Sequence, residues 1–344
     1  MVIGLHTAAA PEQRDPRLPR NPTKLASELA VIVNSADPLS VKIGKYYQKR
    51  RNIPPENIIS INISAANPVL SPEQFAPIYD SVMERTPHQV QFYALTWAAP
   101  YRVGCMSITS AFAMGYDEAY CAKGCLPTKA SPYFNSESRY PFRHYRMRPT
   151  MALAGLSFAD VKALIDRGVA ADFSRPSGTA YLVSTSDKAR NVRSIVFDAT
   201  RDLLGRYVPI KEIESDALQG RPDVLFYFIG RAKVANIDSN RFLPGAIADH
   251  LTSTGGKLTD SRQMSSLRWL EAGATGSYGA VVEPCNFPQK FPHPGLVIDH
   301  YLLGNTLIEA YWKSVAWPGQ GIFIGEPLAN PFGVPAVVPS VAKD

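Results

Sequence analysis

Apolar runs alternate along this chain with amphipathic stretches, and proline, glycine or a capping residue separates them. Glu28–Asn34 (ELAVIVN) is a short apolar run of the kind that makes a buried strand. Asp37-Pro38 then supplies a cap with proline in the first turn. This predicts a helix through Val41, Ile43, Tyr46 and Tyr47 to about Arg51, where Asn52-Ile-Pro-Pro breaks it. A second strand is expected over 58–63, a helix opening at Ser71-Pro72-Glu73, and a third strand over 90–97. Later the pattern predicts strands at 151–155, 179–184, 208–213, 224–229, 276–282 and 321–324. Helices are predicted from Ser157 to Gly168, and over 187–204, 244–253, 261–272 and 295–314.

That alternation implies an α/β fold: three layers, a mostly parallel sheet with helices on both faces. Residues 100–148 interrupt it. They are rich in Pro, Ser, Tyr, Arg and Cys and keep no period, which reads as an ordered irregular insertion beside a site. Neither a repeat nor a flexible linker is visible. The expected organisation is one α/β domain over 25–335, with tails at 1–24 and 336–344.

Composition adds limits. The chain has 344 residues, 45% hydrophobic and 19% charged, so it can bury a core without disulfides or metal. No apolar run reaches the length of a membrane span. The net charge of +6 resolves into two stretches. Residues 1–24 carry four basic against two acidic residues, and residues 139–148 carry Arg139, Arg143, Arg146 and Arg148 with no acid. The remainder is neutral, which argues against a nucleic-acid binder. Arg143 and Arg146, interleaved with His144 and Tyr145, suit a peptide or small acidic ligand. The plainer reading of such a run is solvated surface.

Four cysteines stand at 105, 121, 125 and 285. Cys105, Cys121 and Cys125 lie close enough in sequence for a disulfide, and four cysteines allow three pairings. The same three with His144 are a weaker zinc candidate. Beyond the strand at 276–282 comes Glu283-Pro284-Cys285-Asn286. Ligands of open parallel sheets bind past the carboxyl ends of strands. Cys285 is therefore a candidate nucleophile, with Glu283 two residues away. His250 ends the predicted 244–253 helix and is the candidate base. Thr252 and Ser253, ahead of Gly255-Gly256, are candidate substrate-binding and oxyanion groups. His293 and His300 lack a carboxylate at matching spacing and read as no metal site. There is no GxSxG, P-loop or HExxH, and no sequence feature asks for a cofactor.

The blocks ELAVIVN at 28–34, VGCMSITSAFA at 103–113, GATGSYG at 273–279 with Glu283-Pro284, and GEPLANPF at 325–332 resemble an uncharacterised, usually exported bacterial protein family. The resemblance spans about 25–335. It implies a periplasmic or secreted setting, although residues 1–20 show no signal-peptide pattern. More distantly, the chain resembles the caspase–gingipain–legumain type of cysteine peptidase, with Cys285 in the nucleophile's place. Gly325-Glu326-Pro327 resembles a Gly-Asp-Pro turn of gingipain-like chains. That group sets its histidine before a glycine at the end of the preceding apolar strand; here Phe228-Ile229-Gly230 puts isoleucine in that slot.

Three functions follow as expectations. The first is a cysteine hydrolase using Cys285 and His250, with Glu283 orienting the base or the substrate. The second is a non-catalytic binding or scaffold protein on a lapsed peptidase-like fold, with Arg143 and Arg146 holding an acidic partner. The third is a metal-dependent hydrolase using Asp249, His250 and Glu283.

Overall fold

In the first apolar run Leu29, Val31 and Val33 pack into one hydrophobic cluster while Ala30 and Ile32 pack into another. Every residue of the run is buried, as period-two alternation requires of a strand covered on both faces. The computed structural model describes residues 21–64, 67–122 and 124–335. Its strands are β1 (Leu29–Asn34), β2 (Ile58–Ile61), β3 (Val69–Leu70), β4 (Phe92–Leu95), β5 (Arg102–Val103), β6 (Met106–Ser107), β7 (Thr150–Ala152), β8 (Thr179–Ser184), β9 (Ile210–Glu214), β10 (Val224–Ile229), β11 (Phe242–His250), β12 (Gly276–Ala280) and β13 (Gly321–Gly325). Ten of them form one sheet in the order β2-β1-β4-β7-β13-β12-β11-β10-β8-β9. The short β3, β5 and β6 form a separate sheet.

The large sheet is two similar halves joined at β13. In each half the first strand has the second on one side and the third on the other: β2-β1-β4-β7 and β9-β8-β10-β11-β12. Neighbours within each half run parallel, and β13 lies antiparallel to β12. Helices cover both faces. One cluster joins α2 (Pro38–Arg51), α6 (Phe158–Ala171), α7 (Phe197–Leu204), α9 (Pro294–Leu302) and α10 (Leu307–Ser314). The opposite cluster holds α3 (Pro72–Arg85), α4 (Ile108–Met114) and α8 (Leu267–Glu271). Two short helices, α1 (Pro22–Ser27) and α5 (Pro141–Tyr145), lie at the strands' amino ends.

Several expectations need correcting. Residues 244–253 are not a helix: 242–250 form β11, a central strand. The alanines and glycine there carry no strand propensity of their own; pairing with β10 and β12 decides the outcome. The irregular stretch 100–148 contains α4, which buries six residues, from Ile108 to Ala113. It is in part the crossover from β4 to β7. The helix after Ser157 runs past Gly168 to Ala171. Gly168 serves close packing, since a Cβ there would lie 2.5 Å from Cγ of Glu326. The predicted helix 295–314 is two helices, separated by a turn with Gly304 at φ +80°. Of the expected tails, residues 1–20 and 336–344 lie outside the described residues, and Asn21 already caps α1.

The GEPLANPF block is structural. Arg51, at the end of α2, pairs with Glu326 and Asp172, and Tyr47 Oη donates to Glu326 Oε1 at 2.6 Å. This buried network ties α2 and α6 to the turn after β13. Glu326 is fully buried, so removing Arg51 would strand a carboxylate in the core.

Candidate functional site

His250 is the last residue of β11 and its ring is buried. Trp269 Nε1 donates to its Nδ1 at 2.9 Å, and its Nε2 lies 3.1 Å from the carbonyl of Met264. The first bond fixes Nδ1 as acceptor, so Nε2 carries the proton and donates. Desolvation pushes the pKa down to about 3. This imidazole is neutral and has no lone pair to offer. It meets neither requirement of a general base, a reachable nitrogen or a pKa near neutrality.

Asp249 precedes it and therefore points to the other face of the sheet. There it meets Arg193 at 2.6 Å, both groups buried. Burial raises the Asp249 carboxyl to about 6 despite the guanidinium. Because Asp249 and His250 diverge, they cannot join Glu283 in one metal site. Among the described residues no group of three His, Cys, Asp or Glu side chains converges for an ion.

Cys285 is joined to Cys125, and Cys105 to Cys121. One bond thus lies within the insertion, and the other ties the insertion to the loop past β12. With all four sulfurs paired there is neither a thiolate nucleophile nor a set of zinc ligands. Glu283 is exposed, and its Oε1 accepts the backbone N–H of Cys285 at 2.9 Å. It holds the loop in which Cys285 and Asn286 both take positive φ, +56° and +55°. Thr252 is buried; its hydroxyl donates to Gln263 Oε1 at 2.8 Å and accepts from Arg190 Nε at 3.1 Å. Three amides around half-buried Ser253 are committed too: Leu251 to Ile229, Thr254 to Gln263 and Gly256 to Ala280.

The strand that follows β10 and lies beside it is β11, not β12, so Cys285 does not stand at the exit of the strand next to Ile229.

Arg143 and Arg146 lie elsewhere. Arg143 lies in α5 and Arg146 caps its carboxyl end, beside Glu28 and Gln91, which precede β1 and β4. This is the amino end of the first half of the sheet. The disulfide-bearing loop departs from the carboxyl end, where Tyr101, past β4, donates to Asp260 beyond β11 at 2.6 Å. The insertion thus spans the molecule, and its arginines do not converge with Cys285, His250 or Thr252. His144, the fourth ligand of the zinc candidate, meets Ser138 Oγ at 2.7 Å. His293 caps α9, accepting from Leu296, and His300 meets Asn135.

No family model matches the chain, and no curated protein matches it either. Solved structures do. The complex of pro- and mature domains of Porphyromonas gingivalis RgpB aligns over 90% of this chain and 81% of its own, with a TM-score of 0.50 at 10% identity. A crystal structure of the Arg-specific cysteine proteinase gingipain R (RgpB) aligns over 92% and 80%, with a TM-score of 0.47 at 12% identity. The fold is gingipain-like. At such identity the likeness speaks for the architecture alone.

Within this gingipain-like fold, sequence reasoning missed two groups. Arg193 falls within the predicted 187–204 helix without being singled out, yet it enters the core, where it meets Asp249. Arg148 counted as part of a solvated run but is 2% exposed. Its guanidinium carbon sits 3.4 Å over the Phe142 ring, and Nε donates to the Val90 carbonyl. The flanking Met147, Pro149 and Met151 were a signal for its burial.

Proposed function

We propose that this chain is a non-catalytic binding protein on a gingipain-like fold. The observation that carries the reading is the bond between Cys285 and Cys125, which takes the candidate nucleophile out of use. The saturated, neutral ring of His250 supports it, as does isoleucine at position 229, where the resembled peptidases set a histidine. The resemblance to an exported bacterial family accords with two disulfides, which persist in oxidising compartments.

The test is direct. Native protein is incubated with fluorogenic peptides with and without a dithiol, and alkylation by iodoacetamide is followed by intact mass. The expected result is no turnover and no alkyl group on the unreduced protein. Turnover that is raised by Cys125→Ala, which frees the Cys285 thiol, and abolished by Cys285→Ala would overturn the reading in favour of a cysteine hydrolase.

A further inference from the structure

The amino end of the first half of the sheet carries an excess of positive charge that the fold itself does not consume. Arg148 is buried and, among the described residues, pairs with no carboxylate. Its bonds go to the Val90 carbonyl and the Met83 sulfur, with the Phe142 ring stacked on it. A buried guanidinium without a counter-charge projects its field outward through low-dielectric protein. Directly outside lies a cleft of about 370 Å³ lined by Tyr140, Phe142, Arg143, Arg146, Gln91 and His88, among others. Arg143 and Arg146 are exposed and, among the described residues, form no ion pair. The acid on this wall, Glu28, is largely buried and already faces Lys24 at 3.7 Å.

We infer that this cleft binds an acidic peptide segment, with carboxylates on the Arg143 and Arg146 forks and an apolar side chain against Tyr140 and Phe142. The inference rests on the binding-protein reading above and names its partner class. Arginine forks match carboxylates bidentately, and an aromatic wall rewards an adjoining apolar group. A nucleic-acid strand needs cations tracking its backbone over several phosphates. Among the described residues the cations lining the cleft are Arg143 and Arg146, with Lys24 on the Tyr140 hydroxyl, too few for such a track. The main-chain donors nearby are spent, since the Phe142 and Arg143 amides donate to Gln91 Oε1. Recognition therefore falls to the side chains.

The experiment is fluorescence anisotropy of a labelled peptide alternating Glu and Leu, with the Gln–Leu peptide, a single-stranded oligonucleotide and inorganic phosphate as parallel arms. The acidic peptide should bind, weaken as salt rises from about 50 to about 300 mM, and lose at least about tenfold in affinity in Arg143→Ala/Arg146→Ala. Arg143→Lys/Arg146→Lys should fall between, keeping charge without the fork. Both pairs are exposed, so an unchanged melting midpoint certifies the fold. No binding of the acidic peptide, equal binding by the alanine pair, or tighter binding of the oligonucleotide or phosphate each overturns the proposal. None of these outcomes bears on peptide turnover, so a failure here is distinguishable from a failure of the non-catalytic reading.

Discussion

His250 offers the sharpest test because its chemistry can be read without a substrate. In the folded chain its pKa lies at about 3, against the ordinary 6.5. The unfolded chain therefore takes up a proton that the folded chain refuses. A depressed folded value means stability is fully present above pH 6.5 and drains away as pH falls toward 3. The loss follows from the ratio of the two binding polynomials: about 0.8 kcal/mol at pH 6, about 2 at pH 5 and about 3.3 at pH 4. The figure at pH 5 hardly depends on how far below 4 the folded value lies. His300, lowered to about 4, adds to the same slope, and Asp249, raised to about 6, opposes it. A variant isolates His250 from both. In His250→Gln the amide oxygen can accept from Trp269 and the NH2 can donate to Met264, but nothing titrates. The assay is urea unfolding of wild type and variant at pH 7, 6 and 5, followed by tryptophan fluorescence. The variant should be less stable at pH 7 by about 1–2 kcal/mol. That deficit should shrink by about 2 kcal/mol at pH 5. A deficit that is the same at pH 7 and pH 5 would refute the reasoning, because it would mean that the folded imidazole protonates freely and could serve as a base.

Three further outcomes are expected. The Cys125–Cys285 disulfide spans 160 residues, and removing it through Cys125→Ala/Cys285→Ala should cost about 2–5 kcal/mol, read as a lower thermal midpoint; an unchanged midpoint would count against a structural role. Gly168→Ala drives a methyl to 2.5 Å from Glu326 Cγ and should destabilise by about 1–3 kcal/mol in chemical denaturation, with neutrality as the contrary result. Arg193→Met leaves Asp249 buried alone and should cost about 3–5 kcal/mol at pH 7, but less at pH 5, where the raised carboxyl takes its proton; a larger loss at pH 5 would contradict that order.

The sheet was legible because its strands are apolar throughout, and a residue buried on both faces must be apolar wherever it pairs. β1 and β10 can be read directly from ELAVIVN and VLFYFI. β11 could not. Pro244, Gly245, Ala246, Ala248 and Asp249 are poor strand formers, and only flanking β10 and β12 make an extended conformation the better one. That single misreading displaced His250 from the interior of a sheet to a helix end, and with it the whole catalytic hypothesis. The cysteines show the same limit. Cys125 and Cys285 are 160 positions apart, and no local pattern announces that the insertion folds back over the exit of β12. Arg143 and Arg146 were recognisable as a basic pair, but which end of the strands they occupy is a property of the crossover through α4.

β13 is the last strand among the described residues, yet it sits inside the sheet, between β7 and β12. Until it is made, the molecule consists of two sheets, each with an unsatisfied edge facing the other. The joining step therefore waits for residues 321–325 to leave the ribosome, long after the β7 edge is made and about 40 residues after the β12 edge. In an oxidising compartment the Cys125–Cys285 bond lies wholly upstream of β13. Cys125 comes from the first half's insertion and Cys285 from the loop past β12, so the bond can tether the halves before the seam is filled. A disulfide that looks like a loop staple in the finished protein thus doubles, during biosynthesis, as a splint holding two open edges in register for the strand that arrives last.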